Sequence, residues 1–344
     1  FNTWLSPLFS GILILFLRLF VGAGRIIDRL LYRSLKNPLT KPIIIVGNPR
    51  SGTTFLHRFL IKQKIGSGSQ LWQMIYPSIF IQKLMRPFLP ILEKISPARH
   101  HSTKAHKTSL ISIETDDVSL LFRYLDGFFF YGFFLTFDKE DLFHWVDPKI
   151  RDTSRRDFDW FESMWKRNLI TNKKDRYIGK LFSLSSNLPN FQKKFPDAKI
   201  IYMIRDPLSV IPSGLSLVTG VLDKRFNFWS LDESIKRQFI KRLYNALIEL
   251  LLRFQKDWEN QKIDKEKVFI VRFDSMMEDF DTLMVNLLDF LDEEKNDEMM
   301  QKIKQVAKQQ RQYKSGHKYD LEKFGLTKEQ IQNDCKPIYK TFLN

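Results

Sequence analysis

The sequence predicts an α/β fold with a mostly parallel central sheet flanked by helices. Three observations carry this. The runs "KPIIIV" (41–46), "AKIIYMI" (198–204) and "KVFIVRF" (267–273) are rich in β-branched residues without alternation, as strands covered on both faces are. The segments between them place apolar residues at helical spacing. A glycine-containing loop follows the first run, where open α/β sheets bind their ligands. With 344 residues and 43% apolar side chains, the chain can bury one large core, and neither an internal repeat nor a low-complexity linker marks a second one.

Taken in order, residues 1–40 form the first element. "WLSPLFSGILILFLRLFVGAG" is almost continuously apolar, yet Arg18 interrupts it. At 100° per residue Arg18, Arg25, Arg29 and Lys36 share one face, with Arg33 nearby. That pattern predicts an amphipathic helix lying in a membrane interface rather than spanning it. The alternative is a helix packed on the domain. The remaining unit is expected over 41–344.

The first strand leads into "VGNPRSGTTFLH" (46–57). Strand, loop and helix N-terminus aim successive backbone N–H groups at an anion, and Thr53 and Thr54 add hydroxyl donors. The spacing of Gly47 and Gly52 matches G-x-x-x-x-G-K-[ST], but Thr53 stands in place of the lysine and the cation is Arg50. Such a loop suits a 5′-phosphate carrying some other group better than a nucleoside triphosphate.

Next comes "HKTSLISIETDDVSLLF", with His106, Glu114, Asp116 and Asp117 as acid–base candidates; some of these carboxylates could instead cap a helix. "LLFRYLDGFFFYGFFLTF" (120–137) follows, with eight Phe or Tyr between Phe122 and Phe134. It reads either as core or as the wall of a site for an apolar acceptor. "RYIGKLF" (176–182) is a weaker strand candidate ending near Lys180, which is either a solvated lysine or a site residue. After the strand at 198–204, Arg205 and Ser213 provide a guanidinium and a hydroxyl eight residues apart, a second anion site. Ser230 and Glu233 form a capping-box signal for a helix to about Trp258. Beyond the strand at 267–273, residues 278–291 have helical spacing.

These motifs together resemble the sulfotransferase superfamily that uses 3′-phosphoadenosine 5′-phosphosulfate (PAPS), in its bacterial-type branch with the Pro-Arg-Ser-Gly-Thr-Thr loop. "NPRSGTTFLH" is similar to the 5′-phosphosulfate loop, "FPDAKIIYMIRDPLSVIPS" to the 3′-phosphate element, and "VFIVRFDSMMEDFDTLMVNLLDFL" to the strand-helix segment. "GHKYDLEKFGLTKEQI" resembles the C-terminal segment, and the likeness covers roughly 42–342. It implies a P-loop-like sulfotransferase fold and sulfuryl transfer from PAPS to a hydroxyl or amine, leaving adenosine 3′,5′-bisphosphate. It also implies cofactor contacts from Arg50, Ser51, Gly52, Thr53, Thr54, Arg205, Ser213 and Lys314. Arg50 would neutralise the bridging oxygen and 5′-phosphate. Lys180 aligns with the lysine of a Lys-Ser-Pro or Lys-Asp-Pro motif, although "KLFSLSSNL" lacks the proline. His106, Glu114 and Asp116 match an H-x(7)-E-x-[DE] arrangement near the acceptor, which makes Glu114 the expected base and His106 its alternative.

Composition narrows the field. The formal charge of +16 favours an anionic partner. One cysteine, Cys335, leaves no intramolecular disulfide or thiolate metal site, and the absence of N-x-[ST] sites agrees with a cytoplasmic setting at a membrane surface. No metal is demanded. A kinase or ATPase would want a lysine at position 53. A nucleic-acid binder would want a localised basic tract, whereas here the charge is spread, so no nucleic-acid partner is expected. The acceptor is expected to be a lipid or glycan.

Overall fold

Four strands form one all-parallel sheet in the computed structural model, which describes residues 6–96, 108–312 and 320–343. They are β1 (Ile43–Val46), β2 (Ile178–Lys180), β3 (Lys199–Ile204) and β4 (Val268–Arg272), in the order β2-β1-β3-β4. The three apolar runs of the sequence are β1, β3 and β4, and the weaker candidate is β2. Side chains of β1 alternate between two cores: Ile44 and Val46 face one, Ile43 and Ile45 the other.

The helices of the first half are α1 (Ser6–Leu31), α2 (Thr53–Lys62), α3 (Leu71–Ile75), α4 (Ile79–Met85), α5 (Leu89–Ile95), α6 (Val118–Tyr124) and α7 (Phe128–Phe133). Those of the second are α8 (Ser154–Asn172), α9 (Leu188–Lys194), α10 (Pro207–Phe226), α11 (Glu233–Glu259), α12 (Phe273–Glu278), α13 (Phe280–Phe290), α14 (Asp297–Gln312), α15 (Lys328–Asp334) and the single turn α16 (Lys336–Ile338). The helix expected over 278–291 is α13, and the short α12 precedes it. α11 begins as expected, but the cap differs. Asp232 holds the N-cap position, Ser230 closes a 3-10 turn by donating to the Asn227 carbonyl (2.7 Å), and Glu233 pairs with Lys236 and Arg237. The Ser-x-x-Glu signal was satisfied by local bonds of another kind.

The N-terminal helix also departs from expectation. Its basic stripe is divided: Arg25 turns toward the domain, donating to Ser163 Oγ (2.8 Å) and lying 4.6 Å above the Trp160 ring, whereas Arg29, Arg33 and Lys36 are exposed. Its outward side is apolar, with Leu13 and Phe16 more than two-thirds exposed. Leu8–Leu31 is long and apolar enough to cross a membrane. The last turns, however, belong to the domain. Gly24 admits α4 so closely that a Cβ would lie 2.5 Å from Ile81 Cδ1. Fully buried Asp28 accepts from the Ile79 and Phe80 backbone N–H groups at the start of α4 (3.0 and 2.9 Å) and pairs with Arg167 Nε at 2.9 Å. Removing residues 1–36 would therefore strand a buried arginine, which costs several kcal/mol, so a boundary at residue 40 cuts through packed structure.

Three residues of β2 are a short ladder, and side chains reinforce it. His57 Nε2 donates to the Ile178 carbonyl (2.8 Å), and Asp116 accepts from the Lys180 N–H (3.0 Å), Tyr177 Oη (2.5 Å) and Trp165 Nε1 (3.2 Å). Burial, aided by the nearby Lys180 charge, pushes His57 down to about 3, so it is neutral in the fold. Burial also pushes Asp116 up to about 6 against its three hydrogen bonds. The two act oppositely on stability. Between pH 6.5 and 3 the unfolded chain binds the His57 proton and the fold does not, so this contribution is lost as pH falls. For Asp116 the fold holds the proton between about 4 and 6, so its contribution is lost as pH rises. The variant His57→Gln should accordingly gain on the wild type by about 1.4 kcal/mol per pH unit below pH 6.5. Denaturant titrations at pH 7, 6 and 5 measure this; a constant gap would exclude the histidine.

Candidate active site

The strand order reverses between β1 and β3, and those predicted residues that are described gather beyond their C-terminal ends, the location open α/β sheets use for ligands. From β1 the chain turns through residues 47–52 into α2. Gly52 caps that helix at φ +88°, where a Cβ would lie 2.5 Å from Met276 Cε. The first N–H groups of α2 have no intrahelical partner and point into the turn. Arg50 holds φ +78°, a region costly to a residue with a Cβ.

Arg50 Nε donates to Ser213 Oγ on α10 (3.1 Å), and Arg205, at the end of β3, donates from Nη1 to the Arg50 carbonyl (2.9 Å). The Arg205 guanidinium stacks 4.1 Å from the Phe273 ring centroid at the end of β4. The residues that the sequence assigns to two anion sites are thus joined through Arg50. Ser51 is buried behind the turn, its N–H donating to the Asn48 carbonyl (3.2 Å).

Lys180 ends β2 buried, and its Nζ donates to Thr54 Oγ1 at 3.0 Å. It is not the solvated lysine that the sequence allowed. Burial holds its pKa below the usual lysine value, while the Glu114 carboxylate opposes that shift. Glu114 is itself buried, accepts from Ser112 Oγ (2.7 Å) and lies 3.9 Å from Arg58 Nη2.

Neither neighbouring aspartate caps α6 with its side chain. Asp117 occupies the N-cap position, but its carboxylate crosses to the Phe182 N–H (2.8 Å) and the Ser183 hydroxyl, as Asp116 crosses to Tyr177. Bonds across the chain to the end of β2 outcompete the helix end. They also fix the backbone that aims Lys180. His106 and Lys314 lie outside the described residues.

These groups surround a single cavity of about 1020 Å³. Its lining combines a polar set, Arg50, Gly52, Thr53, Thr54, Glu114, Lys180 and Arg205, with an apolar one that includes Phe122, Phe129, Phe133 and Phe134 and, from α10, Leu217 and Val221. The aromatic run divides: Tyr131 is fully buried in the core, while Phe122, Phe129, Phe133 and Phe134 line the cavity. Sequence reasoning missed Phe273, Met277, Arg58 and Gln310 as site residues. Phe273 had a signal, since it follows a strand of the same parallel sheet; Arg58 and Gln310 are brought in only by helix packing.

A family model described as "Sulfotransferase family" matches residues 42–297. The omega-hydroxy-beta-dihydromenaquinone-9 sulfotransferases Stf3 of Mycobacterium tuberculosis and Mycobacterium bovis are each 23% identical over 251 residues, 69% of this chain. The chain spans 59% of the length of these curated relatives. Among solved structures, sulfotransferase STF9 from Mycobacterium avium superposes with a TM-score of 0.71 at 19% identity, covering 93% of this chain and 81% of that one. Sulfotransferase STF1 from Mycobacterium tuberculosis gives 0.64 at 18% identity, covering 90% and 80%. These two likenesses establish the shared fold.

Proposed function

The chain belongs to the sulfotransferase family, and from that premise we propose that it transfers a sulfuryl group from PAPS to a hydroxyl on a large apolar acceptor of the lipid class, at a membrane surface. The observation that carries this reading is that one cavity is lined both by cations and hydroxyls and by an aromatic wall. At about 1020 Å³ it lies at the top of the usual ligand-pocket range of roughly 300–1,000 Å³, which leaves room for a large acceptor. Its polar lining suits the donor: the N-terminus of α2, the hydroxyls of Thr53 and Thr54 and the cations Arg50 and Lys180 would hold a 5′-phosphosulfate. The mycobacterial relatives are named for a hydroxylated menaquinone derivative, which is of the same acceptor class. α1, with its outward apolar side, supports membrane attachment.

In this reading the acceptor oxygen forms a bond to sulfur as the bond from sulfur to the 5′-phosphate oxygen breaks. Glu114 takes the acceptor's proton. Arg50 and Lys180, with Thr54, hold the negative charge left on the phosphate side, and their fixed positions spare reorganisation at the moment of transfer. Asp116 and Asp117 position Lys180 by bonding the backbone around it. Arg205 and Ser213 are assigned to the 3′-phosphate.

Incubation with ³⁵S-labelled PAPS and separated lipid, glycan and peptide fractions tests the acceptor class. Label is expected in the lipid fraction, and label confined to peptides or glycans would reject it. For the 3′-phosphate site, Arg205→Ala should weaken adenosine 3′,5′-bisphosphate at least tenfold more than adenosine 5′-monophosphate in calorimetry. Ser213→Ala should do so more mildly. Equal losses for both nucleotides would mean that these residues act only by holding Arg50, which both contact.

A further inference from the structure

Helices α4 and α5, joined by a 3-10 turn at Arg86–Phe88, make one nearly continuous helical segment from Ile79 to Ile95. Along it Phe80, Leu84, Phe88, Ile91 and Ile95 recur every three or four residues, which places them on one side. All five are exposed, from 41% for Phe80 to 70% for Ile95, while Ile79, Ile81 and Gln82 on the other side are buried. A stripe of five large apolar side chains facing water is not the ordinary scatter of surface hydrophobics.

We propose that this stripe is a second membrane-contacting surface, built into the catalytic domain and entering the same leaflet as α1. The inference rests on the membrane part of the reading above and extends it to a different element. Continuity argues for lipid as the occupant. α1 packs against α4 through Gly24, and Asp28 fixes the start of α4, so the stripe lies on an element docked against a helix that exposes Ile26, Leu30 and Leu31 and is long and apolar enough to cross a membrane. Charge agrees as well: Lys83, Arg86 and Lys94 lie along the segment beside the apolar residues, the arrangement of helices that bind anionic membrane surfaces. The surface also has a functional position. Glu93 of α5 accepts from the Leu110 N–H (2.8 Å), in the loop whose Thr108 lines the cavity. An apolar acceptor resident in the leaflet would thus have its entry beside the seated helix.

The test is flotation of the full chain with vesicles of phosphatidylcholine containing phosphatidylglycerol, comparing the wild type with Leu84→Gln/Ile91→Gln. Both positions are exposed, so the fold and binding of adenosine 3′,5′-bisphosphate should be retained. The variant's vesicle affinity should fall about tenfold to a hundredfold. As a second measurement, Phe88→Cys can carry a polarity-sensitive dye, since the one native cysteine is buried; its emission should shift to the blue on adding vesicles, whereas a dye at Glu298→Cys on α14 should not respond. Unchanged flotation of the double variant, an unresponsive dye at position 88, or a vesicle-free dimer abolished by the same substitutions would overturn the proposal, the last by assigning the stripe to a second copy. Because partitioning is read without turnover, a failure of the sulfuryl-transfer reading leaves the result interpretable.

Discussion

Arg50→Ala should lower turnover by about 10²–10³-fold or more, the usual effect of deleting one preorganised donor at a site of developing charge, while the fold persists. Arg50 sits on the turn between β1 and α2, and its guanidinium lines the cavity together with Thr54 and Lys180. Alanine keeps the backbone carbonyl that Arg205 bonds and loses only the side-chain bond to Ser213, so a thermal melt should shift by only a few degrees. Arg50→Gly removes the same guanidinium at a φ of +78° that glycine adopts without cost. It separates chemistry from backbone strain, because it should be as inactive as the alanine variant and no less stable. Turnover within threefold of wild type in either variant would reduce Arg50 to a turn residue.

The second large effect is expected at Glu114. Replacing it with glutamine keeps the acceptor oxygen for Ser112 Oγ and the shape of the wall, and removes only the ability to take a proton. Turnover should fall by about 10²–10⁴, the range for a positioned general base, with nucleotide affinity nearly unchanged. Asp116 and Asp117 cannot substitute for it, since each spends its carboxylate on buried partners around β2. His106→Asn is the companion variant and should be milder. Normal turnover in Glu114→Gln with a dead His106→Asn would transfer the role to the histidine.

How much of this was legible depended on distance along the chain. β1, β3 and β4 declared themselves within two residues because each is an uninterrupted apolar run. The phosphate-type turn was legible because its donors, from Gly52 to Thr54, are contiguous. Arg205 was readable because a strand end fixes where it lies. Lys180 was not: its direction depends on Thr54, 126 residues away, and on two aspartates whose sequence context resembles a helix cap. The apolar stripe of α4 and α5 went unseen for a related reason. Its pattern is that of any amphipathic helix, and only the packed fold reveals that the more apolar side faces outward.

The buried pairing of Asp28 with Arg167 sets an order of events during synthesis. The two residues are 139 positions apart, and the α4 amides that share Asp28 come about 50 positions after it. At roughly 5–20 residues per second, Asp28 and the apolar helix around it leave the ribosome about 10 s before their arginine partner exists. Throughout that interval α1 lacks the cation that pairs with its buried carboxylate, so its docking on the domain is completed only once α8 has been made.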